Sequence, residues 1–232
     1  MKERLESLVP DNKAFVGTFH SLGVRIIREN CSLCNLTSTF TILDSDDVLS
    51  LIKRIMKNKG IDPKMLAPSY VRNRISFIKN ENLSQREITN LFNTAMEQQV
   101  LNIYETYEEL IHKNNSVDFD DLLVLPVKLF QEHQEVLDHY QEKFKYILVD
   151  EYQDTNEVQY QFNKLLAHKY QNLFVVGDAN QSIYGFRNAN FRNILNFEKD
   201  YKNCLVVTLE NNYRSTNNIL ECANCVIRNN KE

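Results

Sequence analysis

At 232 residues, 43% hydrophobic and 25% charged, the chain has an ordinary globular composition and enough length for one large or two small cores. No run of about 18 apolar residues occurs, and the charged opening Met1-Lys-Glu-Arg-Leu-Glu-Ser-Leu8 has no apolar signal core, so a cytoplasmic protein without membrane partner is expected. A net charge of −4 does not by itself announce a nucleic-acid binder.

The first segment is helical and charged and closes at Pro10. Ala14-Phe-Val16 reads as a short buried strand that ends at Gly17-Thr-Phe-His-Ser21, and an amphipathic helix follows. Thr18, His20 and Ser21, at the mouth of a strand-to-helix turn, can hydrogen-bond phosphate oxygens with help from the helix N-terminus. Plain helix capping by Ser21 is the alternative, and the two are compatible.

From about residue 44 to 115 the character changes: no strand pattern is present, and helices are expected over 46–59, 69–80, 84–93 and 95–114. Ser84-Gln-Arg-Glu87 is a capping box for the third of these. An all-helical block within an α/β pattern reads as an inserted subdomain. Between Leu51 and Lys79 it carries eight Lys or Arg against one acid, Asp62. Such a face can track a phosphate backbone, or can simply be solvated.

Ser116-Val-Asp-Phe-Asp-Asp121 turns acidic and starts a helix to about residue 129, with another over 132–144. Tyr146-Ile-Leu-Val-Asp-Glu-Tyr-Gln-Asp-Thr-Asn156 then supplies an apolar run suited to a strand buried on both faces, ending in the acid pair Asp150 and Glu151. Ligands in open α/β sheets bind at the carboxyl ends of strands. Nucleotide hydrolases place two carboxylates there, one holding Mg²⁺ and the other positioning or deprotonating the attacking water. A solvated turn after a core strand is the alternative.

A helix over 157–170 leads to a second strand, 173–176, and to Gly177-Asp178, with Gln181 three residues further on. If the two strands are neighbours, Gln181 can reach a terminal phosphate or the attacking water. Tyr184, Phe186 and Arg187 resemble a base-stacking platform with a cation for phosphate, or else two core aromatics at a loop-helix junction. A helix over 191–201, a strand over 205–209 and a last helix from Thr216 complete the pattern. Cys31/Cys34 and Cys222/Cys225 have zinc-like local spacing but lie nearly the whole chain apart, and free buried thiols are expected. None of the five glycines is followed by Lys, so these residues include no phosphate-cradling P-loop.

Asp150-Glu-Tyr-Gln-Asp-Thr-Asn156, Val176-Gly-Asp-Ala-Asn-Gln-Ser-Ile-Tyr-Gly-Phe-Arg187 and Leu209-Glu-Asn-Asn-Tyr-Arg-Ser215 resemble, in order and spacing, motifs of the UvrD/PcrA/Rep group of superfamily 1 DNA helicases. Gly17-Thr-Phe-His-Ser21 and Asp118-Phe-Asp-Asp-Leu122 are similar to two further motifs of that group, and the pattern is nearest its PcrA branch. The resemblance implies an α/β fold: an incomplete RecA-like parallel sheet (P-loop NTPase fold) with a large all-helical inserted subdomain. It assigns residues 1–43 and 117–205 to domain 1A, 44–116 to helical subdomain 1B and 206–232 to the start of domain 2A.

The implied activity is that of an ATP-dependent 3′–5′ DNA helicase, using ATP and Mg²⁺ to move along single-stranded DNA in repair or replication. By resemblance Asp150 holds the metal and Glu151 activates water. Gln181, Tyr213 and Arg214 would serve the nucleotide, Tyr213 on the adenine and Arg214 on the γ-phosphate. Thr18, His20, Ser21, Phe119, Tyr184, Phe186 and Arg187 would contact single-stranded or partly duplex DNA. Phe186, Asn188 and Asn211 depart from the group's usual Trp, Gly and Gln. The group's Walker A loop has no counterpart among these residues, so the expectation is an internal fragment, inactive alone and prone to self-association through an exposed sheet edge. A non-catalytic single-strand-binding module is the alternative. A nuclease built on Asp150, Glu151 and Asp178 lacks a third partner of the Glu-x-Lys kind.

Overall fold

Apolar side chains gather into two clusters whose residues come from different stretches of chain. The computed structural model describes residues 2–81, 83–185 and 188–229. After α1 (Lys2–Leu8), helix α2 (Phe19–Glu29) starts where the Thr18 side chain accepts from the Ser21 N–H, and it buries Gly23, Ile26 and Ile27. These pack on α7 (Asp121–Glu132), α8 (Gln134–Lys143) and α9 (Glu157–Ala167) around Phe130, Tyr140 and Phe162, the first cluster. Pro126 lies inside α7 and has no N–H to offer the Leu122 carbonyl four residues back. That carbonyl meets α2 at Gly23, where an added Cβ would lie 1.8 Å from its oxygen.

The second cluster is built by α3 (Ser45–Asn58), α4 (Pro68–Asn80) and α6 (Ala95–Lys113), with Ile52, Met56, Ile75, Phe92, Ile103 and Tyr107 at its centre. The expected Ser84–Glu87 capping box opens α5 (Gln85–Leu91). The chain enters and leaves this block side by side. β1 (Thr41–Ile42) pairs in parallel with β2 (Ser116–Val117), and the Asn115 side chain clasps Thr37 by accepting from its N–H at 2.8 Å and donating to its Oγ1 at 2.7 Å.

One buried ionic cluster joins the two cores. Lys79, 4% exposed at the end of α4, donates to Asp118 at 2.8 Å and Asp121 at 2.7 Å, with Glu108 of α6 also at 2.8 Å. Beside it Asn80 donates to Asp120 at 2.8 Å and accepts from Asn156 at 2.6 Å. Burial opposes the ammonium, but the three carboxylates raise Lys79 well above its usual range. Burial pushes the Asp121 carboxyl up to about 7 against the pull of Lys79, whereas Lys79 holds Asp118 below its ordinary range despite burial.

The second sheet is β3 (Ile147–Val149) in parallel with β4 (Leu173–Val175), in a register that puts Leu148 opposite Phe174. Among the described residues the architecture is helix-rich with two short parallel strand pairs. Several sequence expectations need correction. β3 is buried on one face only, since Leu148 is 74% and Phe174 60% exposed. Residues 14–16 are not a strand: no partner strand pairs with them among the described residues, and Phe15 packs edge-on against Phe144 instead. Residues 205–209 likewise have no partner strand among the described residues, and Leu205 and Leu209 face solvent.

The helix expected over 191–201 breaks at Asn196 into α10 (Arg192–Leu195) and α11 (Phe197–Asp200). The last helix, α12 (Asn217–Ile227), buries none of its residues, so Cys222 and Cys225 are exposed rather than core thiols. The basic run is also less uniform than its sequence. Lys79 is interior, and Arg74 stacks between the rings of Phe77 and Phe92 while pairing with Glu97 at 3.2 Å.

Candidate active site

The parallel pairing of β3 and β4 brings the two motif-bearing strand ends to one edge. Beyond the last paired residues, the Val176 N–H donates to the Val149 carbonyl and the Tyr152 N–H to the Val176 carbonyl, each at 2.9 Å. Asp150 and Glu151 on one strand end therefore adjoin Gly177 and Asp178 on the other. Asp150, Glu151, Asp178 and Gln181 are all exposed at this edge.

Glu151 has φ 51° and ψ 46°, a left-handed backbone that few non-glycine residues adopt. That twist turns the chain from β3 into the 3₁₀ turn Tyr152–Asp154. Asp150 accepts the Glu151 N–H on one carboxylate oxygen at 3.1 Å, and its second oxygen has no protein partner among the described residues. An exposed, half-satisfied carboxylate at a strand end fits a hydrated divalent cation of Mg²⁺ type, which takes one or two protein carboxylates and keeps several waters. Asp154, by contrast, has its carboxyl raised by burial and by the nearby Glu151. Gln181 sits in the turn Ala179–Gln181, its side chain donating to Asp178 Oδ2 at 2.9 Å.

The candidate nucleic-acid contacts form a second group. The His20 and Phe119 rings pair at 5.4 Å between centroids, tilted by 50°. Phe119 is 55% exposed although its neighbours Asp118 and Asp121 are buried, because those carboxylates turn inward to Lys79 and the ring must point out. Burial lowers the His20 pKa, which keeps the imidazole neutral near pH 7 and suits it to stacking or neutral hydrogen bonding rather than to charge. Thr18 and Ser21 are exposed but engaged in the α2 cap, Ser21 Oγ donating to the Thr18 carbonyl at 2.8 Å. Tyr184 is exposed on the loop beyond Gln181, and Phe186 and Arg187 lie outside the described residues.

Tyr213 and Arg214 are not joined to this edge. Tyr213 is 91% exposed, and among the described residues no hydrogen bond or ion pair links either side chain to the strand ends. The Asn212 side chain instead accepts the Arg214 and Ser215 N–H groups, a local turn. Sequence reasoning missed one residue at the edge: Gln153, which contacts both strand ends. Residue type and spacing do not mark it, because its partner across the edge is fixed by the register of β3 on β4.

These elements define a class. The UvrD/REP helicase N-terminal domain matches residues 1–202, and the chain belongs to the UvrD/REP helicase family. The ATP-dependent DNA helicase PcrA of Bacillus subtilis is 47% identical over 232 residues, which cover 99% of this chain and 31% of that protein. The PcrA proteins of Leuconostoc citreum and Staphylococcus aureus are 45% and 46% identical, with 31% and 32% of their lengths covered. The chain thus spans about a third of the length of the curated relatives it matches. Among the described residues no helix is long and apolar enough to cross a membrane.

Proposed function

We propose that this chain forms part of the motor of an ATP-dependent DNA helicase that moves 3′–5′ along single-stranded DNA, in repair or replication. The observation that carries the reading is the shared edge of β3 and β4, which brings Asp150 and Glu151 beside Gly177 and Asp178 at the carboxyl ends of parallel strands, with Gln181 hydrogen-bonded to Asp178. Asp150 holds the Mg²⁺ of bound ATP, an ion that neutralises charge on the triphosphate. Glu151 orients and deprotonates the attacking water. Gln181 senses the terminal phosphate, and Tyr213 and Arg214 complete the nucleotide site when their segment closes on it.

Phe119, paired with His20, stacks on bases together with Tyr184 and Phe186, while Thr18, Ser21 and Arg187 take backbone phosphates. The side-by-side entry and exit at β1 and β2, with a separate apolar cluster, supports reading residues 44–116 as an inserted helical subdomain of a RecA-like, P-loop domain. Exposed Lys53, Arg54 and Lys57 on α3 leave part of the basic run available to partly duplex DNA.

ATP turnover by the full-length protein, stimulated by oligo(dT), tests this reading. Glu151→Gln should lower the rate by roughly 10²–10⁴-fold while leaving single-strand affinity intact. Turnover within twofold of the unchanged protein sinks the assignment. The 232 residues alone contain no Gly-Lys loop and should not turn over ATP. Such a non-catalytic single-strand-binding role is favoured for the isolated chain by the exposed Phe119–His20 pair. The apolar Leu148 and Phe174 face supports its self-association.

Phe119→Ala should weaken oligo(dT) binding by about 1–3 kcal/mol, the worth of one stacked base, without changing the slope of affinity against salt. Fluorescence anisotropy at several salt concentrations reads both quantities. A changed slope would mean that the ring acts through phosphate contacts instead.

A further inference from the structure

We propose that Gln153 is a positioning residue that holds the Glu151 carboxylate and links it to the second strand end. The inference rests on the reading of Glu151 as the group that handles the attacking water. Gln153 is 1% exposed and lies under the edge between β3 and β4. Its Nε2 donates to Glu151 Oε2 at 2.7 Å, and its Oε1 accepts the Asp178 N–H at 3.0 Å. Asp178 Oδ2 in turn accepts from Gln181 Nε2 at 2.9 Å. One unbroken run of hydrogen bonds therefore crosses from Glu151 to Gln181.

The orientation of the Gln153 amide is set by its partners. A main-chain N–H can only donate, so the carbonyl oxygen must face Asp178 and the NH₂ must face the carboxylate. With one Glu151 oxygen held in this way, the other is left toward solvent, where a water would be deprotonated. Two backbone features serve this arrangement. The left-handed Glu151 lets its side chain fold back over the turn to Gln153. Gly177 makes room for the amide, since an added Cβ there would lie 2.4 Å from Gln153 Oε1 and 3.1 Å from the Tyr152 nitrogen.

A purely structural role, satisfying the Asp178 N–H, needs only the acceptor half of the amide. Gln153→Glu separates the two roles: it keeps an acceptor for Asp178 and loses the donor to Glu151. In the full-length protein, this variant should lower the oligo(dT)-stimulated kcat for ATP by about 10–100-fold, with KM for ATP within about threefold. Gln153→Met, which removes both hydrogen bonds and carries no charge, should do the same if the buried carboxylate of the first variant prevents folding.

Because Gln153 acts through Glu151, neither change should lower the residual single-turnover rate further in a Glu151→Gln background. A kcat within twofold of normal in the folded variants, or an equal loss with and without Glu151, overturns the inference alone. Normal turnover in Glu151→Gln overturns the assignment of Glu151, and the inference with it.

Discussion

Lys79→Met should destabilise the fold by about 3–5 kcal/mol, the usual result of removing one partner from a buried ion cluster. For a chain of this size that corresponds to a drop in Tm of roughly 6–20 °C. The methionine would fill much of the space, so the loss is electrostatic: Asp118, Asp121 and Glu108 would face one another with no cation between them. Those carboxylates would then take up protons, Asp121 most readily, as burial already pushes it up to about 7 beside Lys79. The destabilisation should therefore be smaller at pH 5 than at pH 8. Lys64→Met, on an exposed lysine of the same basic run, is the control and should move Tm little. Thermal melts of both variants at the two pH values check this, and a Lys79→Met melt within 2 °C of the unchanged protein (about 1 kcal/mol or less) would show that the cluster is not a net source of stability.

Gly23→Ala has the second largest expected effect, and its sign is opposite to the general rule. In a helix interior this change normally stabilises by about 0.5–1 kcal/mol, through lower backbone entropy in the unfolded chain. Here the new methyl would lie 1.8 Å from the Leu122 carbonyl oxygen, a main-chain atom that cannot rotate away. α2 and α7 would have to separate, opening the cluster that holds Ile26, Ile27, Leu123 and Val127. Overpacking of this kind costs about 1–3 kcal/mol, and a main-chain clash this close puts it at the upper end, beyond the entropic gain. Chemical denaturation should show a lower midpoint at unchanged slope. Equal or greater stability would mean that the helices have slack at this crossing.

The helical elements were legible because their signals are local. Asp44, Ser84, Thr94 and Asn156 all cap as their residue types suggest, and the apolar spacing of α3 and α6 identifies the buried faces. β3 and β4 were legible because an apolar run ended in a motif. The two-residue strands β1 and β2 were not, since two residues carry no periodicity and the pairing depends on residues about 75 apart in sequence. The strand expected over residues 205–209 lacks a partner among the described residues, and β propensity alone does not hold a strand.

The interior charges show the same limit. Lys79 reads as one more base in a solvated run, and only the return of Asp118 and Asp121 from some forty residues away turns it inward. At the candidate site, the acid pair and Gln181 were evident from residue type and spacing. Gln153 was not, because its role depends on which main-chain N–H lies across the edge, and that is decided by the register of β3 on β4.

The alternation along Asp118-Phe119-Asp120-Asp121 has a mechanical result. With carboxylates on either side drawn into the interior, the ring between them cannot swing with its backbone, and the imidazole of His20 limits it on one flank. The backbone under this half-exposed ring is therefore already fixed before any flat ligand would stack on it. That part of the ordering is done when the chain folds, so a stiff mounting is what the interior charges supply to the surface.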